Sequence, residues 1–446
     1  MAEQYDVVVV GARCAGSPLV VKLANRGLKV ALVDRARFPS DTPSTHAFQN
    51  DGARVLADIG VLDRVRASGA PWIEQIDFRV DGLRMVRPWP RRPDDPGPWM
   101  SVRRTVLDTI LVEAAEEAGA HVRTGARVTG LVERNGRVSG VRVEADDGDP
   151  SGETVLEAPL VVGADGRTST VSRLVGARRY NEIPSQRMSS WAYYEGATPP
   201  APATFVAHRW DEEFLVACPC DGGLYMVIAI PPADRVGSFV GDPGAALDAH
   251  VAACEPVADI VAGAQRTGRP AVMPRWTGYF RDASGPGWVL VGDAGHFKDP
   301  SPGQGITDAL RQAERLAPAI VDGLGSAATL DEALAGWGRW RDRDAQEMAW
   351  FAADLGRAGC VPPVLGEILC GLSTNALMVD RWFDVLNHRA RPSEILTPVR
   401  LAAATGRLLR DGARPRPRSQ ILADSRDVVV QDMRRRWLNR HPAYAG

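Results

Sequence analysis

The opening residues constrain the fold more than any other part of the chain. Asp6 to Val10 (DVVVV) is a continuous β-branched run, the pattern of a strand buried on both faces. Gly11-Ala12-Arg13-Cys14-Ala15-Gly16 follows as a glycine turn. Ser17 to Arg26 then reads as a helix ended by Gly27, and Lys29 to Val33 as a second buried strand. Asp34 closes that strand 18 residues after Gly16. Strand, glycine turn, helix, strand and terminal acid in this order make a βαβ unit for a dinucleotide. The free N–H groups and dipole of the helix N-terminus hold a pyrophosphate, while Gly11 permits the tight turn and Gly16 lets helix and strand pack closely. The Asp34 carboxylate can accept ribose hydroxyls. Arg13 stands where the fingerprint has its middle glycine, so the loop approaches a ligand less closely unless the guanidinium neutralises phosphate.

Two later motifs repeat the theme of a strand feeding a polar turn. Leu160 to Gly163 leads into Gly163-Ala164-Asp165-Gly166-Arg167-Thr168-Ser169. Trp288 to Val291 leads into Gly292-Asp293-Ala294-Gly295-His296, followed by Asp299-Pro300-Ser301-Pro302-Gly303-Gln304-Gly305-Ile306. An aspartate at such a strand end can bond a polyol hydroxyl, and the Pro/Gly loop opens a helix whose N-terminus stabilises negative charge. Thr105 to Ala118 is helical in period, and Val122 to Val143 gives strands turned at Asn135-Gly136. Asp81 to Gly97 reads as loop or sheet edge. Residues 181–285 alternate as strands such as Ser189 to Glu195 and Leu224 to Ile230, an antiparallel sheet. Helices dominate from Ile306, interrupted by the basic linker Arg414-Pro415-Arg416-Pro417-Arg418. The expected division is a discontinuous first domain (1–70, 98–180, 286–340), a sheet domain (71–97, 181–285) and a helical region (341–446).

Composition removes other classes. Lys+Arg is 53 against Asp+Glu 55, a net charge of −2, which speaks against a nucleic-acid partner and lends no support to an anionic membrane surface. No stretch reaches the ~18 apolar residues of a membrane helix. The first residues lack the basic start of a signal peptide. The six cysteines are too few for a disulfide scaffold, and Cys218-Pro219-Cys220 is too tight for a zinc site, so reduced thiols, no metal and a cytoplasmic location are expected. Only three lysines occur (Lys22, Lys29, Lys298).

With its motifs in this order the chain resembles the group A flavoprotein monooxygenases, the para-hydroxybenzoate hydroxylase-like family, over roughly residues 5–340. It is also similar to the related geranylgeranyl reductases and flavin-dependent halogenases. The resemblance implies an α/β fold: a Rossmann-type FAD-binding domain, an antiparallel substrate sheet over the flavin and a helical C-terminal region. It implies that Gly11, Arg13, Cys14, Ala15 and Gly16 hold the FAD pyrophosphate, Asp34 the adenosine ribose, and Arg35 the adenine side. Arg104, heading an R-x-x-L-x-x-x-L helix with Leu107 and Leu111 (Arg103 is the alternative), contacts the flavin side. Val128 and Asp165 join the cofactor set, Asp293 the ribityl chain, and Pro300, Gly303, Gly305 and Ile306 the ring. Ser172 holds the position usually occupied by arginine after the Asp-Gly motif, with Arg173 next. No second glycine fingerprint follows, Asp221-Gly222-Gly223 being a hairpin turn, and the resemblance implies NAD(P)H as a transient co-substrate without a domain of its own.

The implied reaction is NAD(P)H-dependent hydroxylation or epoxidation through a flavin hydroperoxide, with molecular oxygen and a small, aromatic or polycyclic organic substrate. The halogenases use a lysine in their N-terminal portion and a W-x-W-x-I-P signature; this chain has no lysine between 30 and 297 and lacks the signature. A reductase or dehydrogenase of the geranylgeranyl reductase type is the alternative, since it shares the FAD motifs. Substrate contacts are expected among Trp191, Tyr193, His208, Trp210, Phe214 and Met226 on the sheet. Trp191 and Tyr193 share one face of a strand, and Tyr194 takes the other. His46 is a candidate base. Lys298 reads as a surface lysine, with a cation beside the flavin as its functional alternative. A monomer or homodimer fits this reading, and the Arg-rich Asp432 to Arg440 reads as a solvated face.

Overall fold

A computed structural model describes residues 2–44, 46–145, 153–410 and 417–440. Thr45 and the Arg414-Pro415-Arg416 part of the linker lie outside the described residues. The chain divides into two compact units, Met1–Pro71, Pro93–Ile183 and Thr277–Asp342 against Trp72–Arg92, Pro184–Trp276 and Arg343–Gly446.

The first unit is built on a six-stranded sheet in the order Ser284–Gly285, Trp288–Leu290, Val161–Gly163, Val7–Val10, Val30–Asp34, His121–Thr124. Its central pairings are parallel, with Val8 beside Ala31 and Val161. The continuous valine runs follow from this, because parallel strands are covered on both faces. The helices Gly16–Ala24, Arg104–Glu117 and Gly305–Gly323 pack together in this unit. A second sheet carries the long hairpin Ala126–Arg134/Arg137–Ala145, turned at Asn135 and Gly136, both at positive φ as an Asn-Gly hairpin turn requires. Val128, Val141 and Leu156 of that sheet share a core with Val8, Val33 and Leu290.

Thr277–Arg281 also belongs to this unit, earlier than the expected boundary at 286. The reason is pairing: Tyr279 lies opposite Phe297, and Phe280 opposite His296.

The second unit holds a seven-stranded sheet in the order Gln265–Met273, Ser189–Glu195, Tyr225–Ala229, Glu213–Pro219, Thr204–Trp210, Gln75–Val80, Leu83–Pro88. Its pairings are antiparallel except for Thr204–Trp210 beside Gln75–Val80. Leu83–Pro88 is the edge strand, placing part of the Asp81 to Gly97 stretch at a sheet edge. One face carries Ala192, Tyr194, Leu215, Tyr225 and Val227, packed with Leu247, Val251 and Val257 of the helices Pro243–Ala252 and Glu255–Ile260. The C-terminal helices share this unit rather than standing apart. Trp382 meets Phe78 edge-on at 5.9 Å, and Phe383 meets Trp89 at 5.8 Å. Aromatic burial of this kind binds the helices to the sheet. No helix among the described residues is long and apolar enough to cross a membrane.

Candidate functional site

The first unit gathers the three motifs around the C-terminal ends of its parallel strands, where ligands bind in open α/β sheets. Gly11 sits at φ +106°, and a Cβ there would lie 2.4 Å from the Ala164 carbonyl oxygen. A Cβ on Gly16 would lie 1.8 Å from the Gly11 carbonyl oxygen. Both positions demand glycine, and the first motif is locked against the second through the Ala164 N–H, which donates to Val10 O at 2.7 Å. Asp34 completes the turn: Oδ2 accepts from Ala12 N–H at 2.7 Å and Oδ1 from Ala36 N–H at 2.8 Å. Carboxylate oxygens have capacity beyond these bonds, so Asp34 can still accept ribose hydroxyls. Arg35 is exposed beside it.

Arg13 has a partner that the sequence reading did not identify. Its Nη1 donates to Asp108 Oδ2 at 2.6 Å, and its Nη2 to Ser40 Oγ at 2.9 Å. Asp108 Oδ1 in turn accepts from Arg104 Nε at 3.0 Å and Nη2 at 2.8 Å. One buried carboxylate therefore orients two guanidiniums beside the glycine turn. The available signal was the spacing of Arg104 and Asp108, four apart on one helix. Cys14 lies against the same carboxylate, and burial pushes its thiol up to about 12, which makes it an inert packing residue.

Asp165 takes a capping position. Its Oδ2 accepts from Thr170 N–H at 2.6 Å and Val171 N–H at 3.1 Å, anchoring the helix Thr170–Leu174. Ser172 belongs to the same cap, its N–H donating to Ser169 Oγ at 2.9 Å, while Arg173 is exposed. The Val128 side chain lies in the apolar core.

Asp293 follows the strand Trp288–Leu290 and a glycine at φ +61° whose N–H donates to Gln312 Oε1 at 3.0 Å. Burial pushes the Asp293 carboxyl up to about 6, with Arg167, Arg104 and Lys298 pulling the other way. The loop beyond is fixed by Asp299, whose Oδ1 accepts from Ser301 N–H at 3.0 Å, and by Gln49, whose Nε2 donates to Gly303 O at 2.9 Å. Gln49 N–H donates to Thr307 Oγ1 at 2.9 Å. Pro300 is half-buried and Ile306 buried, while Gly305 at the helix start is exposed, with open space where a Cβ would stand. A helix start of this kind offers unbonded N–H groups to an anion.

Lys298 is corrected: it is buried, with Nζ 2.6 Å from Asp308 Oδ2. The helix that begins at Gly305 brings the acid to it. His46 is fully buried at φ +59°, its N–H donating to Ser44 Oγ at 3.0 Å and its carbonyl accepting from Val102 N–H at 3.2 Å.

In the second unit, register divides the six expected substrate residues between two faces. Tyr193 lies opposite Met226, Trp191 opposite Ile228, and Phe214 opposite Arg209, all on the face away from the helices 243–260. His208 and Trp210 are corrected to the helix-covered face. His208 lies opposite Leu215, its Nδ1 3.5 Å from Cys254 Sγ, and Trp210 stands 5.4 Å from the His250 ring. They pack the sheet onto its helices and cannot share a surface with the other four.

The motifs fit an FAD. Two glycines let the turn pack closely against the second motif and the helix start, two helix starts can hold negative charge, and Asp34 and Asp293 present acceptors for hydroxyls. Comparison with known proteins agrees. A family model for an FAD binding domain matches residues 4–335. The 6-methylpretetramide 4-monooxygenase of Streptomyces rimosus is 29% identical over 347 residues, 72% of this chain and 76% of the relative. The menaquinone reductase of Mycolicibacterium smegmatis is 30% identical over 342 residues, 72% of this chain and 78% of the relative. Among solved structures, the flavin-dependent brominase Bmp2 shares the fold at a TM-score of 0.73 and 19% identity, covering 91% of this chain and 98% of its own.

Proposed function

The chain belongs to the FAD binding domain family and is an FAD-dependent oxidoreductase; from that premise we propose that it is a single-component monooxygenase, reduced by NAD(P)H, that inserts one oxygen atom into a small aromatic or polycyclic substrate. The observation that carries this reading is the likeness to the 6-methylpretetramide monooxygenase through nearly three-quarters of the chain. Tyr193, half-buried on the sheet face away from the helices 243–260 beside Trp191, supports it, since flat aromatic side chains suit a flat substrate.

Bound FAD supplies the electron transfer and the activation of dioxygen. The chain's own residues bind and orient. The Gly11–Gly16 turn takes the pyrophosphate, Asp34 the ribose and Asp293 a ribityl hydroxyl, and the helix start at Gly305 holds negative charge on the ring. Tyr193, the half-buried ring of this face, is the candidate for substrate contact, with Trp191 beside it on the same face. The absence of any lysine between Lys29 and Lys298 argues against halogenation, despite the brominase fold.

One observation favours a second reading, a reductase of the geranylgeranyl reductase type: the menaquinone reductase is as similar as the monooxygenase. Anaerobic stopped-flow reduction by NADH and NADPH, with and without a panel of phenols and polycyclic aromatics, separates the two. A strong acceleration of flavin reduction by one aromatic, followed by incorporation of labelled dioxygen into it, supports the monooxygenase. Failure of both nicotinamides to reduce the flavin under every condition overturns the single-component reading and moves the reductase ahead.

A further inference from the structure

The helix Gly305–Gly323 carries an acid, Asp308, in its first turn. This is at odds with the task of a helix start that holds an anion, because a carboxylate there offsets the positive end of the dipole. Lys298 removes the conflict. Its Nζ stands 2.6 Å from Asp308 Oδ2, with the lysine side chain only 4% exposed and the aspartate 9%. A buried ammonium needs such a partner. Among the described residues Nζ makes no hydrogen bond, so the ammonium keeps donor capacity beyond the ion pair. Both charges reach the adjoining part of the cofactor site: Lys298 pulls the Asp293 carboxyl down and Asp308 pushes it up.

We propose that Lys298 and Asp308 form a positioning pair that sets the electrostatic potential at the flavin ring. Asp308 holds the ammonium inside the protein near the helix start. Lys298 neutralises Asp308, so that the N–H groups of the first turn act on the reduced, negatively charged ring with their full positive potential. This rests on FAD binding and not on which substrate is oxidised.

The test is the two-electron midpoint potential of the flavin in the FAD-loaded protein, measured by equilibrium reductive titration against reference dyes. Lys298→Met removes a buried positive charge near the helix start, and the ratio of reduced to oxidised flavin at a fixed ambient potential should fall about tenfold, a shift of ~30 mV downward. Asp308→Asn leaves Lys298 uncompensated and should shift the potential upward by a similar amount. The double variant should return close to the wild type, and Lys298→Arg should stay there. A merely structural pair predicts shifts of one sign, or none, for both single variants, and either result with flavin still bound overturns the proposal. Should Lys298→Met fail to hold flavin, Asp308→Asn decides alone: an upward shift supports the proposal, and a downward or absent shift overturns it. A wild-type protein that binds no FAD would overturn the cofactor assignment itself.

Discussion

Arg13 and Asp108 are separated by 95 positions in the chain, yet they form an ion pair of 2.6 Å beneath the glycine turn. The same carboxylate holds Arg104, so Asp108 fixes both cations that border the expected pyrophosphate and flavin sites. Arg13 in place of the fingerprint glycine is thus tied down beside the loop, and its charge remains local.

Removing this carboxylate should be costly. Asp108→Ala leaves the buried Arg104 guanidinium without its partner, and a loss of about 3 kcal/mol is expected. Urea unfolding of the apoprotein measures this, and quenching of FAD fluorescence should show binding weakened at least tenfold. Arg13→Gly keeps the Arg104 pair intact and should cost only about 1 kcal/mol. Equal effects of the two substitutions would contradict the shared-carboxylate account.

The two glycines near the ends of the motifs make a contrasting pair. Gly16→Ala drives a Cβ to 1.8 Å from the Gly11 carbonyl oxygen, so helix and strand must separate. A destabilisation of about 2–3 kcal/mol and purification without yellow colour are expected. Gly305→Ala meets open space and should change unfolding free energy by less than about 0.5 kcal/mol. A stable, flavin-loaded Gly16→Ala protein would show that the turn can relax.

Asp293 gives a pH dependence of known sign. Burial raises its carboxyl to about 6 in the folded apoprotein, above the ordinary carboxylate value, so the native state keeps a proton that the unfolded chain releases. Its ionisation therefore opposes folding: stability should fall as pH rises from about 4 to about 6 and level off above. Asp293→Asn should stabilise the apoprotein at neutral pH by roughly 1–2 kcal/mol, the shift being discounted for partial exposure, and leave it unchanged near pH 4. The same substitution should weaken FAD binding, because the charged acceptor for a ribityl hydroxyl is lost. Thermal melts of both proteins across this range check the first statement, and equilibrium titration with FAD the second.

The parts of this architecture that were legible in the sequence are those decided by local backbone chemistry. Gly11, Gly16 and Asp34 follow from what a strand–turn–helix crossing requires, and Asn135-Gly136 from the demands of a tight hairpin. What stayed hidden depends on partners far along the chain. Lys298 in a Pro-rich loop has no acidic partner until the helix at 305 delivers Asp308. Asp108 gains its second guanidinium only when the turn at Arg13 folds over it. Alternation within a strand correctly separated Trp191 and Tyr193 from Tyr194. It could not relate His208 to Met226, because that comparison needs the register across three strands.

That register leads to the last prediction, which concerns the substrate. Tyr193 and Met226 are directly opposite on the face away from the helices, whereas Trp210 packs against His208 at 4.8 Å and His250 at 5.4 Å. Tyr193→Ala should therefore raise the concentration of aromatic effector needed for half-maximal flavin reduction about tenfold, equivalent to ~1.4 kcal/mol of lost contact. Trp210→Phe should leave that concentration unchanged and lower only the unfolding free energy, since its ring serves the sheet–helix interface. The comparison needs both variants to retain flavin, which their absorbance spectra report before kinetics begin. A shift for Trp210→Phe without one for Tyr193→Ala would place the substrate contacts elsewhere than on the Trp191–Tyr193–Met226 face.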